Sequence, residues 1–386
     1  MSLLPGLDNA WIAIQDGKIA SFGDMNSLPP SPSTRWSAGG GFAMPAWIDC
    51  HTHLVFADWR SQEFVDRING MSYHEMSERG GGILNSAKNL ALLSEDELFE
   101  RSLERLQDVI RSGTGAIEIK SGYGLDTMQE LKILRVIRRL KEQNLIPIKA
   151  TFLGAHSYPM EFRSDHQGYL DQIILDMLPQ IAAEGLADYC DVFCEKGFFS
   201  PEESEKILSA ADRLGIKSRI HTNQFTHSGG IKLAIDHQAI SVDHLEVLDD
   251  EEMQLLAQSQ TIPVLLPTAA FFMNQEYPPA RKMIAAGLGP ALASDFNPGT
   301  SPSYKMSFVF SLACIQMKMN PEEALAAATI NAAYALELQH ELGSISPGKM
   351  ANIIITKPCS GLDYLAYKFT DDWLAELFIQ GIPRFS

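Results

Sequence analysis

The sequence predicts an α/β protein, a closed (β/α)8 TIM barrel with a small β-sandwich domain formed by the N- and C-terminal segments. Three observations predict it. From Ala43 onward, short apolar runs alternate with longer amphipathic segments, the pattern of βα units on a parallel sheet. Eight such runs can be marked out, the number a closed barrel requires. The stretches before and after them carry strand patterns of their own.

Each element has a local reason. Residues 10–22 read as a hairpin: Trp11, Ile12, Ala13 and Ile14 lead to the turn Asp16-Gly17-Lys18, then Ile19-Ala20-Ser21-Phe22, and Asp-Gly between apolar runs signals a tight turn. Ser27 to Gly41 holds the prolines and glycines of a connection between domains. The expected barrel strands are Ala46–His51, Gly115–Lys120, Ile148–His156, Ala187–Glu195, Lys217–Thr222, Ala239–His244, Ile262–Pro267 and Gly289–Asp295. Between the first two, Ser94 followed three residues later by Glu97 is a capping box, with Gly113 placed to end the helix. After Gly343-Ser344-Ile345-Ser346-Pro347-Gly348-Lys349, a further strand, Ala351–Thr356, is expected to pair with the N-terminal hairpin. The expected division is therefore residues 1–43 with 345–386 in the small β domain and 44–344 in the barrel.

Composition narrows the function. A hydrophobic fraction of 45% with 20% charged residues belongs to a globular chain able to bury a large core. The net charge of −17, from 31 basic and 48 acidic residues, opposes nucleic acid and anionic membranes and leaves a small molecule as the expected partner. The most apolar stretch, TIPVLLPTAAFF, is broken by Pro263 and Pro267 and is too short to span a bilayer. Five scattered cysteines, Cys50, Cys190, Cys194, Cys314 and Cys359, read as reduced, buried thiols rather than a disulfide framework. With no signal-peptide pattern at the N-terminus, the expected location is the cytoplasm.

The chemistry gathers at strand ends. In a strand, residues i and i+2 project the same way, so His51 and His53 point together from the end of the first run. His221 ends the fifth, His244 the sixth and Asp295 the eighth, all at the face where barrels place their active sites. Imidazoles and a carboxylate suit zinc or ferrous iron and leave room for water. His74, His166, His227, His237 and His340 lie away from strand ends and read as structural. The run Asp249-Asp250-Glu251-Glu252 reads as a solvated helix start.

These residues sit in longer motifs: PAWIDCHTH at 45–53, IKSGYGL at 119–125, FLGAH at 152–156, HTNQ at 221–224, DHL at 243–245 and SDFNPGTS at 294–301. Together they resemble the amidohydrolase superfamily and, within it, the imidazolonepropionase family, over nearly the whole chain. The resemblance implies a barrel of the metal-dependent hydrolase type with one divalent metal, zinc or iron, on His51, His53, His221 and Asp295. Many superfamily members hold two metals with a carboxylated lysine on the fourth strand. Here that strand ends in Cys194-Glu195 with Lys196 beyond it, which favours one metal.

The resemblance also implies substrate contacts from Arg60, Tyr123, His156, Gln224, Asn297, Gly299 and Thr300. Arg60 suits a carboxylate, because a guanidinium presents a planar fork. Gln224 stands where family members carry glutamate or glutamine. A glutamine cannot act as a general base, so that role falls to Asp295 or His244, with Gln224 orienting the ring. The implied reaction is hydrolysis of the cyclic amide of 4-imidazolone-5-propanoate to N-formimidoyl-L-glutamate by a homodimer. Two alternatives stay open: a cyclic-amidine deaminase on the same scaffold, and a noncatalytic assembly protein, against which the full ligand set speaks.

Overall fold

A computed structural model of the chain describes residues 6–29, 35–71, 75 and 80–385. His74, part of the 27–41 connection and the first five residues lie outside that set. Eight parallel strands, Trp47–Asp49, Thr114–Lys120, Ile148–Ala155, Tyr189–Cys194, Lys217–Thr222, Ser241–His244, Ile262–Leu265 and Ala291–Leu292, pair in sequence order. A helix after the second strand, Thr127–Glu142, buries Leu131, Leu134, Ile137 and Leu140, the spacing of one helical face. The helix Glu95–Arg111 starts with the Ser94–Glu97 capping box and buries Leu98, Ser102, Leu106 and Val109, and Gly113 beyond it has a φ of 103°.

The eighth strand is shorter than expected. Its ladder ends at Leu292, and Asp295 beyond it has a left-handed backbone (φ 52°). The residues that follow instead seal the barrel: Asp295 N–H donates to His51 O (3.1 Å), His53 N–H to Phe296 O (2.8 Å), and Thr52 bridges Phe296. The Asp49 carboxylate reinforces the seam, accepting from Ser294 N–H (3.0 Å) and Oγ (2.5 Å). His51, His53 and Asp295 thus meet because the first and last strands meet.

Outside the barrel, Ala10–Gln15 and Lys18–Asp24 form the hairpin, with Asp16 and Gly17 both at positive φ (51° and 76°), as a two-residue turn requires. A four-stranded antiparallel sheet follows the order Ile382–Pro383, Leu374–Ile379, Ile353–Thr356, Ala43–Pro45. Here the expectation for 351–356 is corrected. The strand pairs with Ala43–Pro45 and Leu374–Ile379 rather than with the hairpin. The hairpin joins the residues just before it, through the Lys18–Met350 bridge and Ala351 N–H to Gly17 O (2.9 Å). Buried Ile19, Ala351, Ile353 and Ile355 fill the space between. Among the described residues no helix is long and apolar enough to cross a membrane.

Candidate active site

The strand ends bring one ligand atom from each of His51, His53 and His221 within 4.8 Å of one another. Asp295 Oδ1 lies 3.5 Å from Nε2 of both His51 and His53. All four residues are buried. His51 Nε2 and His221 Nε2 are buried without a hydrogen-bond partner among the described residues, a costly state unless something else binds there. Burial holds His51, His53 and His221 below the usual histidine range, and their mutual repulsion and nearby Lys120 add to it. They therefore stay neutral, the form that ligates a metal. The orphaned nitrogens and the donor set both fit a single metal ion.

The other ring nitrogens are held from beneath. His51 Nδ1 meets Asp243 Oδ2 at 2.6 Å and His221 Nδ1 meets Asp191 Oδ2 at 3.0 Å. The first contact is a hydrogen bond that places the His51 Nδ1 proton toward the carboxylate and leaves Nε2 to ligate. At His221 neither ring nitrogen completes a hydrogen bond among the described residues, and Asp191 accepts from the backbone N–H (3.2 Å) while its other oxygen faces Nδ1. Burial alone would raise both carboxylates, but Asp191 is held well down by His221 and Lys120, and Asp243 by Arg219 and Lys120.

Burial pushes Asp295 up to about 7 against the pull of His244 and an Asn297 hydrogen bond. His244 shows the reverse: burial works against its charge, but Glu246, 3.3 Å from Nδ1, and Asp295 raise it overall. His244 and Leu245 have positive φ (91° and 67°), as do Asn223 (56°) and Asp295 (52°). Non-glycine residues rarely accept such angles, and they gather where side chains must be aimed.

A cavity of about 420 Å³, its mouth included, opens above this cluster. Its walls include Arg60, Tyr123, His156, Gln224, His244, Asn297 and Thr300, with Phe193, Phe225 and Ile83 as apolar surface. His156 Nδ1 meets the Gly122 carbonyl at 2.9 Å. A carbonyl only accepts, so Nδ1 carries the proton and Nε2 is an acceptor. Burial lowers this imidazole to about 3 and keeps it neutral. The loop bearing Tyr123 is pinned by buried Glu130, which accepts from the N–H groups of Gly122 (3.0 Å), Gly124 (2.6 Å) and Leu125 (3.0 Å).

Arg60 is 7% exposed, and its Nε and Nη1 find no hydrogen-bond partner among the described residues; Glu63 stands 3.6 Å from Nε. The guanidinium lies against Gly299, where an added Cβ would fall 1.3 Å from Nη2.

Apart from His51, which clusters with the lining residues His221 and Asp295, and Gly299, every residue expected in the site lines the cavity, with two refinements. Gly299 acts as the bed for Arg60. The Asn297 amide is engaged within its own loop, donating to Asp295 O (2.7 Å) and accepting from Gly299 N–H (2.9 Å) and Thr300 N–H (2.7 Å). Lys196 is exposed beyond its strand. Sequence reasoning gave no role to Asp191, Glu118, Arg219 and Glu246, nor to Lys120 and Asp243, which it met only as members of the motifs at 119–125 and 243–245. The signal was present as charged residues alternating with apolar ones along strands that are buried on both faces, such as Ile117-Glu118-Ile119-Lys120.

Comparison with known proteins agrees with this geometry. Residues 42–382 match the amidohydrolase family model. The chain is 50% identical to the imidazolonepropionase of Christiangramia forsetii over 99% of its own length and 93% of that protein's. It is 52% identical to that of Flavobacterium psychrophilum with the same coverage. Among solved structures, 5-methylcytosine deaminase from Klebsiella pneumoniae has a TM-score of 0.76 at 15% identity, covering 96% of this chain and 93% of that one. An adenosine deaminase from Xanthomonas campestris with bound zinc has a TM-score of 0.72 at 16% identity, covering 98% and 88%. At that identity the two deaminases share the fold alone. Barrel, strand-end ligands and full-length similarity converge, and the chain belongs to the imidazolonepropionase family of amidohydrolases.

Proposed function

We propose that the chain hydrolyses 4-imidazolone-5-propanoate to N-formimidoyl-L-glutamate with one divalent metal, zinc or iron, held by His51, His53, His221 and Asp295. One observation carries this reading: one small cavity is lined by His53, His221 and Asp295, with His51 clustered against them, and by a buried guanidinium whose Nε and Nη1 find no hydrogen-bond partner among the described residues. A substrate with a cyclic amide and a carboxylate matches both. When bound, the metal supplies Lewis-acid activation of water and carbonyl.

The protein's groups divide the rest. Arg60 takes the carboxylate, since its planar donors fit the two oxygens. His156, an acceptor at Nε2, takes a ring N–H, and Gln224 orients the ring through its amide. Asp295 removes the water proton and returns it to the departing ring nitrogen. His244, braced by Glu246, donates to the carbonyl oxygen as charge builds there. A cytoplasmic setting suits five free thiols, and a homodimer is what the family resemblance supports.

The test is turnover of imidazolonepropionate, followed in the ultraviolet, before and after chelation. Ring opening is expected to fall in proportion to bound metal, to no more than about a tenth of its starting rate once metal is below about a tenth of an equivalent per chain, and to return on adding zinc or ferrous iron. Full turnover by the stripped chain, or ammonia release without ring opening, would overturn the proposal.

A further inference from the structure

Beneath the proposed metal ligands, Lys120 enters the barrel interior from the second strand and is fully buried. Its Nζ lies 2.8 Å from Glu118 Oε1, 2.9 Å from Asp191 Oδ2 and 3.6 Å from Asp243 Oδ2. The last two oxygens are the same atoms that face His221 Nδ1 and His51 Nδ1. One ammonium therefore contacts both carboxylates that face imidazoles of the cluster. Arg219 does not duplicate it. That guanidinium reaches Asp243 (3.3 Å) and also donates to Cys50 O (2.9 Å) and Ala335 O (3.0 Å). Among the described residues, Asp191 has no other lysine or arginine partner.

We propose that Lys120 is a positioning residue that couples Asp191 and Asp243, and that retention of the metal depends on this coupling. The inference rests on reading His51, His53, His221 and Asp295 as the ligands. A buried carboxylate deprived of its cation turns toward other donors. That movement frees the imidazole it faces, and His51 and His221 lose their alignment together. Glu118 keeps the ammonium in place from the far side, because its carboxylate also accepts from Thr52 N–H (3.2 Å) and the Thr151 hydroxyl.

The experiment measures zinc affinity of the full-length chain by competition with a chromophoric chelator, alongside the melting temperature of the apo form. Loss of one supporting partner typically weakens metal binding about 10- to 100-fold, so Lys120→Met, which disturbs two supports, is expected near the upper figure. In an Asp191→Asn/Asp243→Asn background the same change is expected to cost no more than about 3-fold, since coupled effects do not add. If Lys120→Met does not fold, Lys120→Gln keeps polar contacts without the charge and is expected to weaken zinc about 10-fold. A lowered melting temperature with unchanged zinc affinity would show a purely structural lysine and overturn the inference. So would equal losses in the two backgrounds. Failure of the wild-type chain to bind either zinc or ferrous iron would overturn this inference and the ligand assignment together; tight wild-type binding with unaltered variants would overturn this one alone.

Discussion

Arg60 and Gly299 show how two residues distant in sequence make one binding feature. The guanidinium is buried, its Nε and Nη1 lacking a hydrogen-bond partner among the described residues, and the glycine removes the side chain that would occupy its place. A hydrogen bond to a charged group contributes about 1.5–3 kcal/mol, so Arg60→Met is expected to raise KM roughly 10- to 100-fold while kcat changes less. Gly299→Ala should do the same by displacing the guanidinium, and combining it with Arg60→Met should add little. Steady-state kinetics decide the matter, and an unchanged KM in Arg60→Met would remove this residue from carboxylate recognition. At the same scale, His51, His53, His221, His244 and Asp295 were legible in sequence because period-two projection and strand ends define where a side chain must emerge. Lys120 and its carboxylates were not. A lone charged residue within a strand does not reveal its partners until the neighbouring strands are in register.

Elements carry the next layer. Helix Pro201–Arg213 is tied to the end of helix Gly230–Asp236 by His237, whose Nδ1 lies 2.6 Å from Asp212 and whose Nε2 lies 2.7 Å from Glu205. A ring facing a carboxylate from each nitrogen needs a proton on both. Partial burial opposes the charge, yet the two hydrogen bonds raise the group above the usual histidine range. A raised value means the bound proton stabilises the fold below the unfolded pKa, about 6.5, and that this contribution disappears as pH climbs through the folded value. His237→Gln should therefore lower the melting temperature most near pH 6, with the gap to wild type narrowing at alkaline pH. A gap that widens with pH would contradict the pairing. The capping boxes and the Asp-Gly turn were readable because the interactions that make them span two or three residues. The shortened eighth strand was not, since its end is set by the backbone of the first.

For the whole molecule, the question is how the terminal sheet relates to the barrel. Trp47 of the first barrel strand packs against Phe310 (5.7 Å between ring centroids) and Trp373 (6.1 Å). Trp373, Leu377 and Ile379 belong to the same apolar cluster as the barrel's outer layer. A shared core predicts one cooperative unfolding transition, and Trp373→Ala is expected to lower it by about 3–5 kcal/mol through the cavity left behind. Calorimetry tests this, and two separated transitions in the wild-type chain would show that sheet and barrel unfold independently.

By itself the sequence determined the alternation of strands and helices, the hairpin, the caps and the strand-end histidines, because each depends on periodicity or on contacts between near neighbours. Tertiary structure alone decided which strand Ile353–Thr356 joins, where the barrel closes, and which buried charges face one another. Those outcomes depend on register between separate segments, as where Ile353 pairs with both Phe378 and Pro45. In an interior of low dielectric, only the completed packing determines which carboxylate finds which cation.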